Sequence, residues 1–568
     1  MAQQNYTVGN YLATRLEHIG LKHYFVVPGD YNLVLLDQLL WNKNIQQIGT
    51  CNELDAAYAA EGYARVNGAG ALVVTFNVGA FSALNGVAGA YAENLPVIFV
   101  SGSYNTNDPA GDHLLHHTIG THDLSYQYEM IRRVTCEAVR VHHAKDAPHL
   151  IDRAVRAALY ERKPAYIEIP CNLAKEPCSE PTPFETLMPS VESDPKSLAA
   201  AVAATTKLLN NAQKPVLLAG VKLRAYGAID AFRELAEALG CGVAVMPDAK
   251  GFFPEKHPQF IGVYWGSVSS PGCEPVMNGA DMILAAGPMY TDYSTVGWTA
   301  HPEQDRTINA QPWYVRSPNA EYTVVELADF LSALAKNVRK NDATLVQYQN
   351  EFKKATQTTT PAADSNAPLK RVEMVRQIQG YLDTKTTLLV ECGDAWFDGM
   401  YMHLPADARF EIEMLWGAIG WSVPATFGYA LGLEPGRRIV SMIGDGSFRF
   451  TAQEVATMIS QDLNNITIFL INNHGYVIES AIHDGPYNYF KNWDYAGLMN
   501  VLNAGECHGL GLKARTAGEL ADAIKKGREH TGGPVLIECQ LAHDDYSPQM
   551  GEWGKKVSKA NSRPPQYT

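Results

Sequence analysis

Short, nearly continuous apolar runs alternate with helical periodicity along the whole chain. Runs at 24–27, 71–76, 96–101 and 164–169 read as buried parallel strands of a first section, with a helical pattern at 54–65 among them. Runs at 216–219, 242–246 and 282–285 form a second section, and those at 438–443 and 466–471 belong to a third. Strand following helix throughout predicts an α/β chain of three doubly wound, mostly parallel-sheet domains. The pattern lapses at 177–195, rich in Pro, Ser and Glu, and at 357–368, polar and Pro-containing. These lapses divide the chain into 1–190, 191–356 and 357–568, with no short internal repeat apparent.

The third section carries the most chemistry. Gly444-Asp445-Gly446-Ser447 follows one strand run, and Asn472 and Asn473 end the next. Thr451 to Glu454 reads as a capping box launching a helix at 455–459. A right-handed crossover would set both motifs at the carboxyl edge of one sheet, where open α/β sheets bind ligands. Such an arrangement suits a divalent cation gripping a diphosphate. Gly444 and Gly446 allow a tight turn close to phosphate oxygens. Asp445 offers a hard anionic oxygen, Asn473 an amide oxygen and Gly475 a carbonyl, half of the roughly six oxygens magnesium needs. A plain turn before a helix would explain Gly-Asp-Gly-Ser alone, but not the Asn pair that closes the span.

Composition narrows the class. With 46% hydrophobic and 19% charged residues the chain is globular, and 568 residues exceed what one core serves. A net charge of −14 argues against nucleic acid or anionic membrane as a partner, so an anionic substrate must be attracted locally. No apolar run reaches transmembrane length, and the opening residues lack a signal segment, giving a cytoplasmic expectation. Nine scattered cysteines lack metal-type spacing and read as reduced thiols.

The diphosphate motif resembles that of thiamin-diphosphate enzymes, and neighbouring stretches are similar to pyruvate decarboxylases of the bacterial type. The similarity is carried by Gly29-Asp30-Tyr31-Asn32, Cys51-Asn52-Glu53-Leu54, His116-His117, Asp292-Tyr293, Gly393-Asp394 with Trp396, and Ile482-His483-Asp484-Gly485. It runs from Tyr6 to Trp553. It implies the thiamin-diphosphate-binding fold, with pyrimidine-binding, middle and diphosphate-binding domains, and thiamin diphosphate with Mg2+ as cofactors. The middle domain shows no clean G-x-G-x-x-G, so no flavin is expected there.

The resemblance also assigns residues. Glu53 would face the aminopyrimidine ring and share a proton with it, although a Glu in a helix's first turn also suits the macrodipole. Asp30, His116, His117 and Glu479 would handle protons during decarboxylation and product release, with no step assigned to one residue. Burial of Glu479 would keep it protonated beside a substrate carboxylate. Asp445, Asn473 and Gly475 would hold the metal; Thr75, Cys392, Gly393, Asp394, Gly417, Ile419, Gly444, Gly446, Ser447, Tyr476, Val477 and Ile478 would line the cofactor, with Ile419 bending it. Tyr293, Trp396, Ile478 and Ile482 would crowd the substrate's tail, and a Trp there excludes long side chains by volume.

The implied reaction is non-oxidative conversion of pyruvate to acetaldehyde and carbon dioxide, as in ethanol fermentation. Leu415 and Ala418 depart from the bacterial pattern, where Gln and His are usual, and leave open a broader branched-chain or aromatic 2-oxo acid decarboxylase. Glu53 and the diphosphate motif lie in different sections, so a homodimer is the smallest active unit implied and a homotetramer the expected assembly. Trp553 would belong to a terminal helix covering the pocket.

Overall fold

The computed structural model describes residues 6–111, 113–188, 191–351, 362–505 and 508–562. The opening residues 1–5, the expected junctions at 190 and 356, and the first part of the second linker, 357–361, lie outside them.

Three sheets follow one another along the chain. The first holds β1 (His23–Val26), β2 (Gln46–Gly49), β3 (Gly70–Val74), β4 (Val97–Ser103), β5 (Glu137–Arg140) and β6 (Ala165–Pro170). They lie in the order 2-1-3-4-6-5, all parallel. The second holds β7 (Pro215–Ala219), β8 (Gly242–Val245), β9 (Phe260–Val263), β10 (Met282–Ala286), β11 (Thr307–Gln311), β12 (Tyr314–Ser317) and β13 (Ala320–Thr323). Its order is 13-12-11-10-7-8-9, and the β12 and β13 pairings are antiparallel. The third holds β14 (Thr386–Val390), β15 (Arg409–Ile412), β16 (Arg438–Gly444), β17 (Ile466–Asn472), β18 (Leu510–Ala514) and β19 (Val535–Gln540). Its order, 15-14-16-17-19-18, repeats that of the first sheet strand for strand.

The apolar runs become strands because helices cover both faces. Every residue of β3, β4 and β17 is buried. β12 and β13 escape the sequence reading because they are only partly covered. Among the described residues no helix is long and apolar enough to cross a membrane.

Seven helices position the site: α1 (Glu53–Asn67), α2 (Val78–Ala92), α3 (Asp394–Tyr401), α4 (Ser422–Gly432), α5 (Asp445–Thr451), α6 (Val477–Ile482) and α7 (Pro548–Asn561). α1 of the first section packs on α4 of the third at backbone range. A methyl group at Gly428 would lie 1.8 Å from the Ala59 carbonyl oxygen, and one at Gly62 would lie 2.2 Å from that of Ala425. Only glycine permits this approach.

The expected capping box is not formed. The helix begins at once after β16, at Asp445, and Thr451 to Glu454 spans its end and a 3-10 turn before the next helix, Val455–Ser460. Thr451 Oγ1 donates instead to the Gly420 carbonyl at 2.6 Å, and Glu454 reaches across to the first section.

Candidate active site

β14 and β16 are neighbours whose connections run to opposite sides, which makes their carboxyl edge the switch point of the third sheet. A cleft opens there, lined by Cys392, Gly393, Asp394, Ile419, Gly444 to Ser447, Asn473 and Gly475 to Glu479. The parallel pairing sets Gly444 opposite Ile471, so Asp445 and Asn473 emerge side by side.

Three oxygens converge in this cleft without a hydrogen between them. The Asn473 amide oxygen stands 3.1 Å from Asp445 Oδ1 and 3.2 Å from the Gly475 carbonyl oxygen. Turned over, the amide would donate to both acceptors; with its oxygen inward, the three oxygens form a donor set that suits a cation. Adjacent oxygens around an octahedral magnesium stand about 3.0 Å apart, close to these separations. Asp445 is 1% exposed. Its oxygens accept from Gly446 and His474 amides, yet burial still pushes the carboxyl up to about 7. A buried carboxylate in need of positive charge is what a divalent cation relieves.

Ile419 and Gly417 ride on a loop pinned by buried carboxylates. Glu391 accepts from Cys392, Gly420 and Ser422 amides at 2.8, 3.3 and 3.1 Å. Glu413 accepts from Ala418 at 2.9 Å, and Glu93 from Leu415 at 3.2 Å. Gly417 and Gly420 adopt φ of 63° and 93°, the left-handed turns that carry Ile419 to the cleft. Asp394 lines the cleft, but both its oxygens accept from Ser547, the cap of α7, so its carboxylate anchors that helix.

No described residue of the first section lines this cleft; those candidates gather at the carboxyl edge of the first sheet. Asn52 caps α1 by accepting from the Asp55 amide, which sets Glu53 as the first helical residue. A methyl at Gly79 would meet Glu53 Oε1 at 3.0 Å and Thr75 Cγ2 at 3.1 Å, so these three share one corner. Thr75 Oγ1 is buried there without a partner. His116 Nε2 lies 2.6 Å from Asp30 Oδ2, and His117 Nε2 lies 3.7 Å from Asp30 Oδ1. Tyr31 stacks on His116 at 4.9 Å. Asn77, absent from the sequence reading, holds the His117 carbonyl through Nδ2 at 2.7 Å while its own backbone sits at φ 50°. His117 is at φ 60°. Strain of this kind gathers where surroundings fix a functional geometry. Glu479 stands exposed in the single chain, so the burial expected for it is not provided by this chain alone.

A second feature missed by the sequence reading joins the two halves. Glu454 Oε2 accepts from the Cys51 amide at 2.9 Å, and Asp55 Oδ2 accepts from Gln453 Nε2 at 2.8 Å. The other oxygens of Asp55 and Glu454 are buried without a hydrogen-bond partner, and burial pushes both carboxyls above their ordinary range. Burial, then the Glu454 charge, pushes Asp55 up to about 8 from its ordinary 3.8. Folding therefore takes up a proton between about pH 4 and 8, and the pair's stabilisation is full below pH 4 and lost as pH rises through 8. Asp55→Asn keeps the shape and removes that proton. Its melting temperature relative to the parent is expected to climb from pH 5 to pH 9; a pH-independent offset would refute that uptake.

Of the tail-wall candidates, Ile478 lines the cleft. Tyr293 meets Trp396 ring to ring at 6.2 Å, and burial, with smaller contributions from Cys392 and Glu479, pushes its hydroxyl up to about 12. Trp396 and Trp553 are fully buried, and α7 packs on α6, which carries Ile478, Glu479 and Ile482. Gly417, Tyr293, Trp396 and Ile482 lie outside the group that lines the narrow cleft itself.

Known protein families match the chain in three places. The N-terminal TPP binding domain of thiamine pyrophosphate enzymes matches residues 6–125, their central domain 202–334 and their C-terminal TPP binding domain 394–539. A Schizosaccharomyces pombe protein named as a probable pyruvate decarboxylase is 50% identical over 563 residues, 99% of this chain and 98% of its own length. Pyruvate decarboxylase of Neurospora crassa is 50% identical over 564 residues, covering 99% and 98%. Pyruvate decarboxylase 3 of Arabidopsis thaliana is 46% identical over 565 residues, covering 98% and 94%. These relatives are fungal and plant proteins, so the bacterial-type expectation is not borne out.

Proposed function

The chain belongs to the thiamine pyrophosphate enzymes, and from that premise we propose a non-oxidative 2-oxo acid decarboxylase that converts pyruvate to acetaldehyde and carbon dioxide. The observation that carries this reading is the convergence of the Asp445, Asn473 and Gly475 oxygens at the sheet edge, in a chain similar over its whole length to proteins named for that reaction.

Asp445, Asn473 and Gly475 hold Mg2+ in this reading, and Gly444, Gly446, Ser447 and the 475–478 backbone receive the diphosphate. Ile419 supports the cofactor from below, and Thr75, Cys392, Gly393, Asp394 and Gly417 complete its surroundings. When bound, thiamin diphosphate supplies a nucleophilic carbon and a sink for the electron pair that carbon dioxide leaves behind. Glu53 holds a proton at the pyrimidine ring nitrogen. Asp30, His116, His117 and Glu479 deliver and collect the protons of product formation. Trp396 and Tyr293, with Ile478 and Ile482, limit the tail to a methyl group and exclude water.

Both halves are rimmed by exposed apolar side chains: Leu114 and Ile119, 59% and 73% exposed, beside the His pair, and Phe450 and Tyr487, 53% and 64% exposed, beside the cleft. Such patches suit a partner surface. A homodimer bringing Glu53 of one chain to the cleft of another is the smallest active unit in this reading, with a homotetramer as the full assembly. Domain limits of 1–190, 191–356 and 357–568, and a cytoplasmic setting, accompany it.

The test is a coupled assay. With thiamin diphosphate and Mg2+, pyruvate is expected to be consumed with stoichiometric acetaldehyde, and to exceed phenylpyruvate and 2-oxoisovalerate in kcat/KM. A reversed preference would assign the broader branched-chain or aromatic activity that Leu415 and Ala418 leave open.

A further inference from the structure

Two indoles from distant parts of the chain donate to a single carbonyl. Trp265 Nε1 reaches the Tyr293 oxygen at 2.8 Å, and Trp553 Nε1 reaches it at 3.2 Å. Trp265 lies just beyond β9, the edge strand of the second sheet, and is fully buried. Its ring stacks on Phe397 at 4.7 Å and 15°, next in sequence to Trp396. The Trp553 ring meets Tyr293 at 4.7 Å and Phe397 at 5.7 Å. Five aromatic rings from the second and third sections thus form one cluster.

The Tyr293 loop needs such a clamp. Val296, Gly297 and Trp298 follow at φ of 53°, 66° and 67°. A β-branched residue in the left-handed region is strained and persists only where its surroundings over-determine it. Val296 is fully buried, and a methyl at Gly297 would lie 2.8 Å from the Lys556 carbonyl oxygen of α7. The turn bearing Trp265 is tied down as well. Lys556 Nζ donates to Ser267 Oγ at 2.8 Å, and Tyr401 OH donates to the Val268 carbonyl at 2.8 Å. On the other flank of α7, a methyl at Gly554 would lie 2.7 Å from the Ala481 carbonyl oxygen of α6.

We infer that Trp265 is a positioning residue for substrate-size selection: its indole N–H, with that of Trp553, fixes the Tyr293 backbone and so holds the aromatic wall against the substrate's tail. This rests on reading Tyr293 and Trp396 as that wall. Trp265 acts through Tyr293 and touches no reacting atom. Loss of its N–H leaves the Tyr293 carbonyl one donor short while the ring stacking survives. The wall then yields to larger side chains, and pyruvate, which does not press on it, is little affected.

Trp265→Phe in the full-length holoenzyme isolates this term. The ratio of kcat/KM for 2-oxoisovalerate to that for pyruvate is expected to rise about two- to tenfold, the worth of one hydrogen bond. Most of the change should appear in KM for the branched acid. Purely structural damage would instead lower kcat for both acids and leave the ratio unchanged. Trp396→Ala is the control for the underlying reading. If it fails to admit the branched acid, the wall is wrongly placed; if it admits it while Trp265→Phe leaves the ratio constant, only the present inference falls. Lys556→Met, on the half-buried face of α7, loosens the same turn without touching the core. A raised ratio there supports the inference should Trp265→Phe not fold, and an unmoved ratio overturns it.

Discussion

Replacing Glu53 by Gln is expected to cut pyruvate turnover by roughly two to four orders of magnitude, the range that a positioned acid–base group contributes. The loss should fall on kcat with little change in fold, because the Asn52 cap and the Cys51–Glu454 contact just ahead of α1 are untouched. Retention of cofactor and metal should survive, since the cleft is lined from the third section. Steady-state kinetics beside a cofactor-retention measurement separates these effects. Full turnover in the variant would remove the first section from the chemistry and with it the proposed mechanism.

Asp445→Ala carries the second large effect, and its two arms differ in sign. Without cofactor, the parent buries a carboxylate held up near 7, so at pH 8 its ionised form costs stability that the variant does not bear. The ligand-free variant is therefore expected to melt no lower than the parent at that pH. With thiamin diphosphate and Mg2+ at about a hundred times the dissociation constant, the parent gains about 2.7 kcal/mol and the variant gains none. Thermal melts with and without the pair of ligands read both arms. A variant that still gains stability from them would exclude Asp445 as a metal ligand.

What the sequence made legible follows from covalent nearness and burial. β17 and β4 are read from composition because buried parallel strands must be apolar on both faces. Asp445 and Asn473 are read because neighbouring parallel strands bring both to one edge. β12 and β13 escape, being short and half-covered. Glu454 is misread as a local cap since its true partners, Cys51 and Asp55, stand some 400 positions away and nothing in the pattern of either segment announces them. Trp265 escapes for the same reason: a buried indole after an edge strand is ordinary until the carbonyl it serves is seen. Asn77 could have been suspected only from its backbone angle, which no sequence displays.

The matching strand orders of the first and third sheets have a consequence at the crossing of α1 and α4. Each helix follows the second strand of its own sheet. Ala59 and Gly428 are the seventh residues of their helices and face each other. The tenth of α1, Gly62, faces the fourth of α4, Ala425, equally far from that point in opposite directions. Contacts related in this way are those of a two-fold axis, here passing between Ala59 and Gly428 inside one polypeptide. The first and third sections are arranged as a fused pair of lobes, each presenting a sheet edge of the same design: Gly29-Asp30 after β1 and Gly393-Asp394 after β14 stand at the same distance beyond their strands. Under the proposed function one lobe would serve proton transfer and the other would grip a phosphorylated ligand, a division of labour drawn from a single architectural plan.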